Sequence, residues 1–293
     1  MKSVKGIILA GGNGSRLYPL TYGISKQLLP VYDKPMIYYP LSVLMSAGID
    51  DILIITQSKD LESYKSLLGD GSKIGIKISF KIQSKPNGIA ESLILGNDFI
   101  SNNDVCLILG DNIFHGKNLI KYINQAKLNL ENGNSTIFGV KVSNPSDFGV
   151  VEFDGIGNLA SIKEKPKEPK SNLIVSGIYF YTNNVKDFLP KMKPSKRGEL
   201  EITDVNNYFL RMKSLKLIQL DSQVSWIDTG TYESLIKASK YFQEVEKKTG
   251  KKIGCVEEIA YKMGYINKKK LNKIAKSMKS SDYGKYLSKI LER

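Results

Sequence analysis

Two cations follow a glycine turn near the start of this 293-residue chain, a pattern suited to an anion. Val4-Lys-Gly-Ile-Ile-Leu-Ala10 is short and mostly apolar, so it reads as a buried strand. It runs straight into Leu9-Ala-Gly-Gly-Asn-Gly-Ser-Arg16, with Lys26 following in Ser25-Lys-Gln-Leu-Leu-Pro30. A glycine turn after a strand exposes backbone N–H groups to an anion without side chains in the way. Arg16 adds a planar fork and Lys26 a point charge, and both suit phosphate oxygens. The string is not a Walker loop, since no Lys-Ser/Thr follows the glycines, nor a dinucleotide fingerprint, since Leu17 stands where the third glycine belongs. What remains is a nucleoside-triphosphate cradle or, as the plain alternative, an ordinary glycine-rich turn with solvated cations.

Two aspartates could serve the same site. Asp111 ends the apolar run Leu107-Ile-Leu-Gly-Asp-Asn112, and Asp228 ends Val224-Ser-Trp-Ile-Asp-Thr-Gly230. Carboxylates at neighbouring strand ends can share one Mg2+, which needs only one or two of them beside phosphate oxygens and water. Turn aspartates bonding local N–H groups are the other reading.

Elements able to position these groups alternate through the first half. Strands are expected at Asp51–Thr56, Ile76–Ile82 and Val105–Leu109, with helices over Leu41–Ala47, Leu61–Leu68 and Ile89–Phe99. Such alternation predicts an α/β fold, a doubly wound, mostly parallel (Rossmann-like) mixed sheet that binds ligands beyond the strands' carboxyl ends. From about residue 135 the pattern becomes strands at Ser135–Val142, Gly149–Phe153, Ala160–Lys163 and Val175–Tyr181, joined by turn-rich segments. These read as antiparallel additions carrying a second ligand's pocket. Helix returns at Thr203–Met212 and dominates from Tyr232, with breaks near 250–254, 264–267 and 280–281. The domain reading is therefore an α/β unit over 1–240 and a helical C-terminal region over 241–293.

Charge and cysteine usage narrow the class. Nine units of the net charge of +14 fall after residue 239, interleaved with apolar residues at helical spacing as in Leu271-Asn-Lys-Ile-Ala-Lys-Ser-Met278. That is the wet face of packed helices, so nucleic acid is not the expected partner. No apolar stretch is long enough for a membrane helix. Cys106 and Cys255 stand apart and the chain has a single histidine, His115, so zinc and disulfides are unexpected and a cytoplasmic setting is the default. His115 is assigned no catalytic role.

The full string Leu-Ala-Gly-Gly-x-Gly-x-Arg-Leu-x-Pro-x-Thr…Lys-Gln-Leu-Leu-Pro resembles the signature of sugar nucleotidyltransferases. With Lys26–Pro40, Leu109-Gly-Asp-Asn112, Glu164-Lys-Pro166, Arg197-Gly-Glu-Leu-Glu-Ile-Thr-Asp-Val205, Trp226-Ile-Asp-Thr-Gly-Thr231 and Glu257-Glu-Ile-Ala-Tyr261 in order, the chain resembles the short bacterial glucose-1-phosphate thymidylyltransferases over essentially its whole length. The resemblance implies that Leu9, Gly11, Gly12 and Ser15, with Arg16, Lys26 and Gln27, hold the triphosphate of dTTP. It makes Gln83 the base reader, with Gly88 admitting the base. Asp111 and Asp228 would hold Mg2+, and Gly149, Glu164, Val175 and Tyr179 would face the hexose. Lys165 and Arg197 would grip the phosphate of glucose 1-phosphate. It also implies a homotetramer feeding deoxysugar (dTDP-rhamnose type) biosynthesis, with a dTDP-sugar feedback ligand near Phe114–Gly116 and Glu257–Ala260. Two departures stand out: Ile89-Ala-Glu91 replaces the usual Leu-Ala-Gln, and Asp221-Ser222 replaces a Gly-Arg pair of the feedback site. A UTP-using pyrophosphorylase and a non-catalytic sugar-nucleotide sensor are the alternatives.

Overall fold

The protein is described here by a computed structural model covering residues 3–292. Strand β1 (Val4–Ala10) leads through the glycine turn to a small ribbon, β2 (Pro30–Val31) and β3 (Lys34–Pro35), and then to helix α1 (Tyr38–Ser46). There follow β4 (Asp51–Thr56), α2 (Leu61–Leu68), β5 (Lys77–Ile82), α3 (Glu91–Leu95), α4 (Asn97–Ile100), β6 (Asp104–Leu109), β7 (Asn112–Gly116) and α5 (Leu119–Glu131). The second half runs β8 (Ser135–Lys141), β9 (Gly149–Phe153), β10 (Leu159–Glu164), β11 (Leu173–Tyr181), α6 (Ile202–Arg211), β12 (Leu215–Gln219) and β13 (Val224–Asp228). Helices α7 (Tyr232–Thr249), α8 (Val256–Lys262), α9 (Lys268–Ser277) and α10 (Asp282–Leu291) end the described chain.

The main sheet has the order β12-β8-β11-β6-β1-β4-β5. β1 lies parallel between β4 and β6, with Ile8 opposite both Ile54 and Ile108. β11 runs antiparallel to β6 and β8, and its Ile174 also meets Val150, which carries the β9–β10 hairpin. β12 adds a strand beyond the expected ones, and it pairs parallel to β8, with α6 in the connection that precedes it. Parallel neighbours need such a crossover.

Adjacent residues of a strand face opposite sides, so the sheet has two cores. Ile8, Ile54 and Ile108 pack toward α1, α5 and the C-terminal helices, through Leu44, Ile123, Val256 and Leu271. Ile7, Leu53 and Leu107 pack toward α6 with Tyr179, Val205 and Phe209. Helices α8–α10 thus share a core with β1, and α7 runs through residue 240 without a break. On α9, Leu271, Ile274 and Ala275 are buried while Lys269, Lys270, Lys273 and Lys276 are exposed.

Two helices differ from expectation. α1 starts at Tyr38, ahead of Pro40, because a proline in the first turn forfeits an N–H that has no intrahelical partner anyway. The expected helix over 89–99 is instead α3 and α4, interrupted at Gly96, which lies against the Ile7 side chain.

Candidate active site

The carboxyl end of β1 opens into the turn that the sequence singles out. Gly12 and Gly14 have φ of 102° and 59°, left-handed values that side chains resist, so these glycines allow the chain to reverse above the strand. The turn is tied down where the Thr21 hydroxyl donates to the Gly14 carbonyl at 2.8 Å. Beneath it lies a cavity lined by Gly11, Gly12, Ser15, Arg16, Lys26 and Gln27, closed by Asp111 and Gly230. Lys26 and Gln27 are nearly buried. Gln27 accepts from the Ser25 hydroxyl at 2.8 Å, which holds it against the turn.

Asp111 and Asp228 are far apart in sequence, yet β7 and β13 form an antiparallel ribbon in which Asp228 sits opposite Asn112. The Thr229 hydroxyl then donates to the Asp111 carbonyl at 2.8 Å, locking the two strand ends together. Lys26 Nζ donates to Asp111 Oδ2 at 2.5 Å, and Asn112 Nδ2 donates to Oδ1 at 3.0 Å. Burial alone would raise the Asp111 carboxyl, but the Lys26 charge and these hydrogen bonds outweigh it and hold it below the usual carboxylate range. Asp228 goes the other way. Burial first, and then the Asp111 carboxylate, push its carboxyl up, only partly offset by Lys26 and Arg16.

A second cavity continues along β1 and is lined by Leu9, Gly11, Gln83, Gly88, Ile89 and Leu109, again reaching Asp111. Gln83 lies just past β5, its main-chain N–H donating to the Thr56 carbonyl at 2.8 Å. The apolar walls of this cavity, with the amides of Gln83 and Gln27, suit a flat, partly polar ring.

A third cavity lies between β11, α6 and the β9–β10 hairpin. Gly149, Glu164, Lys165, Val175, Tyr179 and Arg197 all line it, and it reaches Asp111, Asp228 and Arg16. Glu164 is fixed from two sides: the Thr203 hydroxyl donates to Oε2 at 2.5 Å and Arg197 donates to Oε1 at 3.3 Å. Arg197 also donates to Glu199 at 3.0 Å and lies 3.6 Å from Glu201. Burial would lower the guanidinium's pKa, but Glu201, Glu199 and Glu164 together raise it. Lys165 is held at φ 42°, a strained conformation for a residue with a side chain, while its N–H donates to the Phe148 carbonyl at 3.0 Å.

Residues 5–245 match the family described as nucleotidyl transferase. The chain belongs to the nucleotidyl transferase family. A glucose-1-phosphate thymidylyltransferase of Neisseria meningitidis is 50% identical over 99% of this chain and 100% of its own. One of Xanthomonas campestris pv. campestris is 47% identical over 100% of this chain and 99% of its own. Among solved structures, a putative glucose-1-phosphate thymidylyltransferase of Bacillus anthracis in complex with a sucrose has TM-score 0.74 at 40% identity, covering 82% of this chain and 95% of that one. A UDP-glucose pyrophosphorylase complexed with UDP-glucose has TM-score 0.71 at 25% identity, covering 83% and 100%.

Every residue that sequence reasoning nominated for the substrates and Mg2+ of this nucleotidyl transferase lines one of the three cavities, whereas Phe114–Gly116 and Glu257–Ala260 line none of them. Further residues line the third cavity. Glu199 and Glu201 follow Arg197 by two and four residues, and that acidic spacing is the available signal. Thr203, Ser176 and Asn206 also line the third cavity. Ser176 Oγ and Asn206 Nδ2 are buried without a hydrogen-bond partner among the described residues, while Tyr181 donates to Asn206 Oδ1 at 2.6 Å. No sequence signal marks Ser176 and Asn206, because their neighbours are brought by β11 and α6 packing face to face. His115 instead lies 6.0 Å from the Tyr241 ring, edge to face.

Proposed function

We propose that this nucleotidyl transferase joins dTTP to α-D-glucose 1-phosphate, giving dTDP-glucose and pyrophosphate. The observation that carries the reading is that Asp111 lines all three cavities. A base along Leu9 and Gln83, a triphosphate under the glycine turn and a sugar phosphate beside Lys165 would meet there, at the α-phosphorus. The strong likeness to named glucose-1-phosphate thymidylyltransferases supports the same substrates.

Binding follows from side-chain chemistry. Backbone N–H groups of the turn, Arg16 and Lys26 would hold the β- and γ-phosphates. Lys165 and Arg197 would hold the sugar phosphate, and Glu164 would accept from hexose hydroxyls, with Gly149, Val175 and Tyr179 forming the wall. An oxygen of that phosphate attacks the α-phosphorus in line, and the bond to the bridging oxygen of the departing pyrophosphate breaks. The nucleophile is already ionised, so positioning and charge neutralisation matter more than a general base. Arg16 and Lys26 would stabilise the negative charge gathering on pyrophosphate.

Magnesium fits the residues present. No cluster of three or more His, Cys, Asp or Glu suited to a metal occurs among the described residues, but Mg2+ with substrate phosphates needs only Asp111 and Asp228. The two carboxylates end paired strands, Asp228 opposite Asn112, and line one cavity, a placement that suits a shared Mg2+. When bound, Mg2+ supplies charge neutralisation to the triphosphate.

A second reading, UTP in place of dTTP, is favoured by the UDP-glucose pyrophosphorylase likeness, since uracil and thymine share one hydrogen-bonding edge. We further propose a cytoplasmic homotetramer in deoxysugar biosynthesis, with residues 1–240 catalytic and 241–293 buttressing them. A dTDP-sugar feedback ligand would bind near Phe114–Gly116 and Glu257–Ala260. Ser222 leaves that site without the arginine of the resemblance, so feedback should be weak. The reading is tested by incubating the protein with dTTP, glucose 1-phosphate and Mg2+. Equal amounts of dTDP-glucose and pyrophosphate are expected, whereas binding without turnover would indicate a sensor.

A further inference from the structure

A carboxylate outside the second cavity dictates which end of an amide faces into it. Gln83 is nearly buried, and its Nε2 donates to Glu91 Oε2 at 2.7 Å and to the Gly88 carbonyl at 3.4 Å. Glu91 is itself clamped, since Asn87 Nδ2 donates to its Oε1 at 2.8 Å. At the other end of the amide, Gln83 Oε1 lies against Gly11, so near that a Cβ there would stand 2.4 Å away. Gln83 and Gly11 line the cavity and Glu91 does not. Turning the amide over would set Oε1 against a carboxylate and a carbonyl, neither of which has a proton to give. Both amide protons are therefore committed, and the end free to meet a ligand is an acceptor.

We infer that Glu91 is a specificity-determining positioning residue, holding Gln83 so that it selects a pyrimidine with a protonated imide N3. Thymine and uracil offer that proton, whereas cytosine offers a lone pair at the same place and would face Gln83 Oε1 acceptor to acceptor. The mechanism separates imide bases from cytosine and leaves the thymine methyl to other contacts. It rests on the reading that Gln83 meets the base.

The test measures kcat/KM for dTTP and dCTP, at saturating glucose 1-phosphate, in wild type and in Glu91→Met, Glu91→Gln and Gln83→Leu. In Glu91→Met the amide is free to turn, so the dTTP-to-dCTP ratio should fall about tenfold, with KM for glucose 1-phosphate unchanged. Glu91→Gln keeps a carbonyl acceptor and should restore most of the ratio. A wild-type ratio in Glu91→Met overturns the inference, and so does equal loss in both Glu91 variants, which would mean charge rather than an acceptor is at work. Gln83→Leu separates the two levels. If it leaves the ratio intact, the underlying base assignment fails; if it collapses the ratio while Glu91→Met does not, only the role of Glu91 fails. Should Glu91→Met not fold, Asn87→Leu loosens the carboxylate without removing it. A fall of about threefold is then expected and an unchanged ratio refutes the role.

Discussion

Lys26→Met would leave Asp111 beside Asp228 with its main counter-charge gone, and the consequences can be worked from the geometry. The ammonium is nearly buried, with a side chain 7% exposed, and contacts Asp111 Oδ2 at 2.5 Å, while the Asp111 side chain keeps 26% of its surface. Removing one partner of a fully buried pair costs about 3–5 kcal/mol, so partial exposure and the surviving Asn112 bond place this case at about 2–3 kcal/mol. At this chain length that lowers Tm by about 3–5 °C. The sign of the pH dependence follows from the depressed Asp111 carboxyl. Its stabilising contribution is present above the unfolded carboxylate value of about 4 and disappears as pH falls through the lower folded value. The wild-type advantage in Tm is therefore largest near neutral pH and shrinks in acid. Thermal unfolding followed by circular dichroism across that range measures it, and the same variant should lose kcat/KM for dTTP. An unchanged Tm at neutral pH, or a gap that widens in acid, would refute the electrostatic account of this pair.

Asp228→Asn should raise Tm near neutral pH while lowering kcat about a hundredfold or more. Its folded carboxyl is raised, so its ionised form destabilises the folded chain above that value and the penalty vanishes below the unfolded one; differential scanning fluorimetry beside a pyrophosphate assay reads both effects. Lys165→Ala and Lys165→Gly should both raise KM for glucose 1-phosphate more than KM for dTTP. Only the glycine variant also relieves the positive φ, and it should be more stable than the alanine variant by about 1 kcal/mol in urea titration.

Much of this was legible in the sequence where a signal is local. The glycine turn, Arg16 and Lys26 are consecutive or close, and β1, β4 and β6 are apolar runs whose ends position them. The turn between α7 and α8 and the stretch between α8 and α9 were marked by Gly250, Gly254 and Gly264. What lay hidden depends on contacts between distant segments. The union of Asp111 with Asp228 needs the β7–β13 ribbon, of which β7 has no separate strand signal. The parallel pairing of β12 depends on where α6 returns the chain. Glu91 was visible only as a departure from a pattern, and its bond to Gln83 appears once β5 and α3 have packed. Thr203 reaches Glu164 because α6 lies over the β9–β10 hairpin, an arrangement that neither segment's composition encodes.

The most direct test of the central claim pairs each of dTTP, UTP, CTP and ATP with glucose 1-phosphate and follows Mg2+-dependent pyrophosphate release. The account predicts the highest kcat/KM for dTTP, with UTP next because it offers the same imide edge to Gln83, and little turnover with CTP or ATP. A clear preference for CTP or ATP would contradict it.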